Sequence, residues 1–168
     1  RRVAKTAENA IFNGDGVNEF TGIMGDSAVD SVEATVVSID TLMDLYTALH
    51  PLFLDGSAFY MSRKFFNKVV KLKDGNGHFY VQNGAVNGKP TYTLFGQPIY
   101  VTEALSDGSK VNDVPVVFAN LSEAYSILVK KEMEIRQIVD SANALRGTKL
   151  LVLDGYMDGA VTNSQAIV

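Results

Sequence analysis

Two histidines, His50 and His78, are the first residues to weigh for chemistry, because imidazole both ligates metals and moves protons near neutral pH. They stand twenty-eight residues apart. His50 falls at a helix end before a proline and His78 beside a turn. Neither has a partner at i+3 or i+4, so both read as surface or satisfied structural histidines. The stretch Asp74-Gly75-Asn76-Gly77-His78 has the opening of a calcium loop. Such a loop needs a bidentate Glu at its twelfth position, and that position is Ala85. A tight hairpin turn is the better reading. Gly14-Asp15-Gly16 resembles the start of a phosphate loop, but its glycines follow a helix instead of opening one, and no Gly-Lys-Ser/Thr occurs. A serine nucleophile needs a base and an elbow; Gly25-Asp26-Ser27 and Asp55-Gly56-Ser57 supply neither. Nineteen acids allow many carboxylate pairs, and no spacing singles one out. Asn120-Leu121-Ser122 is a formal glycosylation acceptor with nothing else pointing to secretion. These residues identify no catalytic residue, cofactor site or metal site, and a non-enzymatic protein is expected.

Composition narrows the class. The chain has 168 residues, 46% hydrophobic and 20% charged, enough for one domain or two small lobes sharing a core. The net charge of −4 and pI near 5.1 give no general grip on phosphate. The charges read as mixed, with no basic cluster suited to sequence-specific nucleic-acid recognition. Without cysteine, a disulfide scaffold and a thiolate metal site are excluded. No apolar run approaches the roughly 18–20 residues needed to span a bilayer. The chain opens on Arg1-Arg2 without a methionine and is helix-like at once, so a longer polypeptide is expected.

Residue periodicity predicts a helix over 1–12, with Val3, Ala7, Ala10 and Ile11 as its apolar stripe and Asn13-Gly14 ending it. Residues 14–26 read as a loop. A β-prone run, Ala34–Ile39, leads to a helix near 40–53. Its cap is expected at Asp40 or Thr41, its stripe at Leu42, Leu45, Tyr46, Leu49 and Phe53, and its end or kink at Pro51. Ala58–Met61 reads as a buried strand, and Ser62 caps a helix carrying Phe65, Val69 and Leu72. Short strands are expected over 79–95, broken at Asn83-Gly84 and Asn87-Gly88, and another at Ile99–Thr102. Residues 103–113 read as loop. Val114–Ala119 reads as a central strand, followed by a turn at 121–125. Ser126–Lys130, Glu132–Ile138, Lys149–Leu153 and Ala160–Thr162 read as four separate strands around a loop at 140–147, with a last strand at 166–168. The class is α+β, in two lobes.

Five segments then line up in order. AENAIFNGDGVNEFTGIM (7–24) carries Glu8, Ala10, Gly14, Asp15, Gly16, Gly22 and Ile23. SAFYMSRKFFNKVVKLKDGNGHFYV (57–81) carries Met61, Ser62, Leu72, Lys73, Asp74, Gly77 and Tyr80. LFGQPIYVTEAL (94–105) carries Gly96 and Pro98. VFANLSEAYSILVKKEMEIR (117–136) carries Asn120, Ala124, Tyr125 and Arg136. GYMDGAVTNSQAIV closes the chain. In this order the segments resemble the major capsid family of tailed bacteriophages, whose Hong Kong ninety-seven fold is shared with encapsulins.

The resemblance implies a fold truncated at its N-terminus. Residues 1–38 and 129–168 would form a peripheral lobe and 39–128 an axial lobe. A loop around 82–91, with Gln82, Asn83, Gly84, Asn87 and Lys89, would face a symmetry axis. The implied function is a major capsid subunit of a tailed phage or prophage. It would be made in the bacterial cytoplasm and assemble with identical subunits, as pentamers and hexamers, into an icosahedral virion shell around DNA. No cofactor, membrane or sequence-specific nucleic acid is implied, and the chain alone would be a monomer or weak ring. Some family members cross-link through a Lys–Asn bond; Leu145-Arg146-Gly147-Thr148 lacks the acceptor Asn, so no self-cross-linking is expected. Two other readings remain: an encapsulin-type compartment shell, and a small α+β hydrolase or ligand-binding domain.

Overall fold

A computed structural model describes residues 2–86, 89–138 and 149–168. The class is α+β, with four helices and seven strands among the described residues: α1 (Arg2–Asn13), α2 (Ile39–Ala48), β1 (Ala58–Ser62), α3 (Arg63–Val69), β2 (Gln82–Val86), β3 (Lys89–Leu94), β4 (Gln97–Thr102), β5 (Val116–Ala119), α4 (Leu121–Ala124), β6 (Tyr125–Ile138) and β7 (Leu150–Val161). Strands β2-β3-β4-β1-β5 form one sheet, in that order, and β6 and β7 form a separate two-stranded ribbon.

Local chemistry explains the helix ends. Ser38 caps α2: its hydroxyl accepts from the Thr41 amide at 3.2 Å, and the Thr41 hydroxyl accepts from the Ser38 amide at 3.1 Å. This reciprocal pair moves the cap ahead of Asp40 and Thr41. It also puts Ile39 inside the helix, so the expected run Ala34–Ile39 is not a strand. The helix stops at Ala48, and Pro51 opens a separate 3-10 turn, Pro51–Phe53, rather than extending α2. Ser62 caps α3 as its position predicts, accepting from the Phe65 amide at 3.3 Å.

One turn is specific. Leu94 pairs with Gln97, so the loop between β3 and β4 is only Phe95-Gly96, with φ of 52° and 82°. Two positive φ values define the hairpin turn whose twist matches its strands. Gly96 takes this at little cost, whereas Phe95 pays a steric penalty. Its ring packs against Tyr46 and Phe59, with centroids 5.7 and 6.4 Å away, which holds it in place. The strand therefore begins at Gln97, and Pro98 lies inside it, opposite Thr93.

Two apolar clusters hold the chain. The larger joins Leu42, Leu45 and Leu49 of the α2 segment to Phe59 and Met61 of β1, Phe65 and Val69 of α3, and Phe118 of β5. Phe59 stacks on Phe118 with centroids 4.3 Å apart. The smaller gathers Phe12, Ile23, Leu105, Val117, Ala119, Ala124, Tyr125, Ala166 and Ile167. It draws on both ends of the chain. On α1 the buried residues are Ala10 and Phe12, while Val3 is exposed, so the expected stripe is displaced toward the helix end.

β5 stands last in the sheet order, not in the centre. Its outer edge is closed by the chain end: the Phe118 amide donates to the Val168 carbonyl at 2.8 Å, and the Val168 amide returns a bond to Phe118 at 2.9 Å. A sheet edge left open is a template for wrong pairing, and these bonds, with one from the Asn120 amide to the Ala166 carbonyl at 3.0 Å, close it. Three other expectations change. β2 runs unbroken through Asn83-Gly84; residues 121–124 form a helical turn; and the four late strands are two long ones. β6 keeps its continuity across two register shifts, between Val129 and Lys131 and between Lys131 and Glu134. Each inserts residues without ending the ladder.

Candidate assembly surfaces

The glycine loop after α1 and the base of the ribbon form one junction. The Gly14 amide closes α1 on the Ala10 carbonyl at 3.0 Å, and the Gly22 amide donates to the Gly14 carbonyl at 2.9 Å. A methyl group on Gly14 would sit 2.0 Å from the Phe20 carbonyl oxygen, and one on Gly22 would sit 2.4 Å from the Gly14 nitrogen. Gly16 takes φ of 74°, which disfavours any side chain. Asp15 folds the loop on itself, its carboxylate accepting from the Val17 amide at 2.8 Å. Thus Gly14, Asp15, Gly16 and Gly22 each have a structural reason.

This loop is tied to the ribbon at two points. The Tyr125 hydroxyl donates to the Thr21 carbonyl at 2.9 Å, and the Thr21 amide donates to the Gly159 carbonyl at 2.9 Å. Burial, reinforced by the Asp158 carboxylate, pushes the Tyr125 hydroxyl up to about 12, so it remains a donor. A methyl on Gly159 would meet the Tyr125 ring at 2.9 Å. Ala124 is fully buried beneath the junction. Sequence reasoning picked Tyr125 and Ala124 but missed Gly159 and Thr21, since no local pattern marks a close approach between distant segments.

The other motif residues scatter. Glu8 is exposed on α1, beside the Lys5–Glu103 ion pair. Met61 is fully buried in the core. Lys73, Asp74 and Gly77 build a turn: the Asp74 carboxylate accepts from the Asn76 and His78 amides, both at 2.8 Å, and Lys73 lies 4.6 Å over the Phe79 ring. Those backbone bonds hold the Asp74 carboxyl below its usual range. Both of those bonds fall on Oδ1, and Oδ2 faces the His78 ring at 3.3 Å. His50 accepts from the Leu52 amide at 3.3 Å. Arg136, on the ribbon, pairs with Glu134 at 3.1 Å and approaches Asp154 at 4.0 Å. Asn120 is buried, and its side-chain amide donates to the Asp55 carbonyl at 2.8 Å. No cluster of three metal-ligating side chains occurs among the described residues. Nor is any helix there long and apolar enough to cross a membrane.

The expected axis-facing loop is a hairpin. Gln82, Asn83 and Gly84 lie on β2, and the backbone of Lys89 opens β3 opposite Val86. Asn87 lies outside the described residues, as does the segment Leu145–Thr148 on which the cross-linking expectation rests.

Two surfaces stand out. The first is the ribbon. Leu128 is 76% exposed, Ile135 71%, Leu151 65% and Tyr156 61%. Ile127, Leu128 and Val129 are consecutive and all exposed, so both faces of the base carry apolar groups. Further out, register puts Ile135 and Leu151 on one face, and Glu134, Arg136 and Asp154 on the other. An isolated two-stranded ribbon is marginal in water. One carrying this much exposed apolar surface marks an interaction site.

The second surface corrects the expectation of mixed charge. Residues 6–62 contain nine acids and no Lys or Arg, whereas residues 63–73 contain five Lys or Arg and no acid. Charge is therefore segregated between neighbouring segments.

Comparison with known proteins defines the class. In solved structures this fold recurs in the capsid of an empty GTA particle (TM-score 0.79, 23% identity), that of a native GTA particle (0.76, 22%) and the holo-SrpI encapsulin complex of Synechococcus elongatus (0.71, 12%). Each covers 99% of this chain, which spans 60% of each neighbour's length. The fold is thus that of a capsid-type subunit. The chain belongs to the phage capsid family, whose model matches residues 1–168. No curated protein matches the sequence.

Proposed function

We propose that the chain is the greater part of a major capsid subunit from a tailed phage or prophage. Identical copies of the whole protein assemble as pentamers and hexamers into a closed icosahedral shell around DNA. It is a structural protein, made in the bacterial cytoplasm and destined for the virion. The lobe built from residues 1–38 and 129–168 is peripheral, residues 39–128 form the axial lobe, and the β2–β3 hairpin faces the capsomer axis.

The observation that carries this reading is the ribbon. Its exposed apolar faces have no partner cluster among the described residues. Burying Leu128, Ile135, Leu151 and Tyr156 against a neighbour would stabilise a contact by several kcal/mol, at ~1.5–3 kcal/mol per large side chain before the cost of association. Shells repeat such a contact many times through heterologous surfaces. An encapsulin-type compartment shares the fold and differs in its contents.

The test is Leu128→Asp with Ile135→Asp in the full-length protein. A folded subunit that forms no particle in electron microscopy is the expected result. Unimpaired particles from the double variant would contradict the reading. Protein cargo in place of nucleic acid inside wild-type particles would select the encapsulin alternative.

A further inference from the structure

Part of each charge block lies on a helix of the axial lobe, Asp40 and Asp44 on α2 and Arg63, Lys64 and Lys68 on α3. On α3 and the turn after it, Arg63, Lys64, Lys68 and Lys71 are exposed on one side, opposite the buried Phe65 and Val69. Asp107 takes up Lys64 at 2.7 Å. Arg63, Lys68 and Lys71 form no ion pair among the described residues. On α2, Asp40 and Asp44 sit one turn apart, opposite the buried Leu42 and Leu45, and Asp30 and Glu33 lie just before them. These acids also lack an ion pair among the described residues. Both helices pack on the same core cluster, so their charged sides are held on a rigid body.

Two unneutralised faces of opposite sign on one molecule are complementary to each other on separate copies. The faces differ, so the contact is heterologous and joins copies head to tail. Outside residues 63–73 the chain has ten Lys or Arg against nineteen acids, so an identical copy is an acidic partner. We propose that the basic face of α3 docks on the acidic face of α2 in a second copy of this chain, fixing the order and register of adjacent subunits. This rests on the shell reading and names a contact within it. Exposed charge pairs of this kind add modest affinity each, but opposing like faces are strongly disfavoured. The contact therefore selects orientation and is sensitive to salt.

The test uses two charge-reversed forms of the full chain, Lys68→Glu with Lys71→Glu, and Asp40→Lys with Asp44→Lys. All four positions are exposed, and circular dichroism checks that each form folds. Sedimentation equilibrium at low salt measures self-association. Each form alone is expected to associate about tenfold or more weakly than the wild-type chain, and an equimolar mixture of the two to regain the wild-type constant. Reversed forms that associate like wild type, or a mixture that does not recover, would overturn the proposal and leave the ribbon contact standing. A wild-type chain that stays monomeric at every concentration and salt would count against it too; the ribbon variant in the full-length protein then tests the shell reading separately. Retention of duplex DNA, lost on Lys68→Glu with Lys71→Glu while self-association is unchanged, would assign the basic face to phosphate instead.

Discussion

The Tyr125 hydroxyl reaches the Thr21 carbonyl at 2.9 Å across 104 residues of sequence, and this bond fastens the glycine loop after α1 to the root of the ribbon. Gly159 completes the contact, since its missing side chain is what lets the Tyr125 ring come this close to the β7 backbone. Tyr125→Phe is expected to cost about 1 kcal/mol by leaving the Thr21 carbonyl without this donor. Gly159→Ala is expected to cost about 1–3 kcal/mol, because the new methyl meets the ring. In a double-mutant cycle, Tyr125→Ala should relieve much of the Gly159→Ala penalty. Urea unfolding of the four proteins measures the coupling, and strict additivity would show that ring and glycine act independently.

The same hydroxyl predicts an alkaline limb in stability. Its folded value is raised to about 12 from the ordinary 10.0, by burial first and then by the Asp158 charge. A raised value means that folding favours the protonated form. The contribution is complete below pH 10 and is lost as pH rises toward about 12. Tyr125→Phe should flatten that part of the profile. Unchanged alkaline slopes in thermal melts of the two proteins would exclude Tyr125 as the source.

At the acid end the group to watch is Asp107. Hydrogen bonds from Lys64 and Ser109 hold its carboxyl down at about 2, against an ordinary 3.8. A lowered value means that folding favours the carboxylate, so this contribution is present above pH 3.8 and disappears as pH falls through about 2. Lys64→Met should shift the Asp107 titration upward, toward the ordinary value, in carboxyl-resolved NMR. An unmoved titration would assign the shift to Ser109 alone.

Much of the segment from α2 to β5 is legible in the sequence because its signals are local. Ser62 precedes a run with helical apolar spacing, and Asp74-Gly75-Asn76-Gly77 can hardly be other than a turn. The failures have physical causes. Ser38 and Thr41 cap α2 reciprocally, and such a pair reads equally well as the end of a β-prone run. Asn83-Gly84 is a hairpin signal only where the chain reverses; inside β2 the ladder with β3 overrides it. The ribbon is read as short strands because its register shifts interrupt the alternation of side chains. Its exposed apolar residues resemble core in sequence, since the pattern records that a residue is apolar and not whether the fold covers it. The acidic and basic faces needed no structure to count, but it took the structure to show that, Lys64 apart, they form no ion pair among the described residues.

Glycine positions separate close approach from mere flexibility. Gly14→Ala and Gly22→Ala place a methyl within 2.4 Å of backbone atoms and are expected to cost more than about 2 kcal/mol each. Gly75 has nothing within 4 Å of its added methyl, so Gly75→Ala should change the melting temperature little. Equal shifts at Gly14 and Gly75 would contradict the tight junction.

The chain end acts as a strand. Ile167 is 1% exposed and bridges Ala119. Ile167→Ala is expected to cost about 2–5 kcal/mol. Removal of Ile167 and Val168 should also open the β5 edge and promote aggregation, visible as light scattering below the unfolding temperature. A soluble truncated chain of unchanged stability would show that the edge does not need this cover.

The central claim, that the ribbon is covered by neighbouring subunits, is most directly tested by a fluorophore on its exposed face. These 168 residues contain no cysteine, so Ile135→Cys introduces their single thiol; any cysteine elsewhere in the full-length protein is replaced by serine first. In particles of the full-length protein, a polarity-sensitive dye there should shift to the blue and become shielded from a soluble quencher, relative to the unassembled subunit. A dye that stays equally exposed in assembled particles would contradict the account.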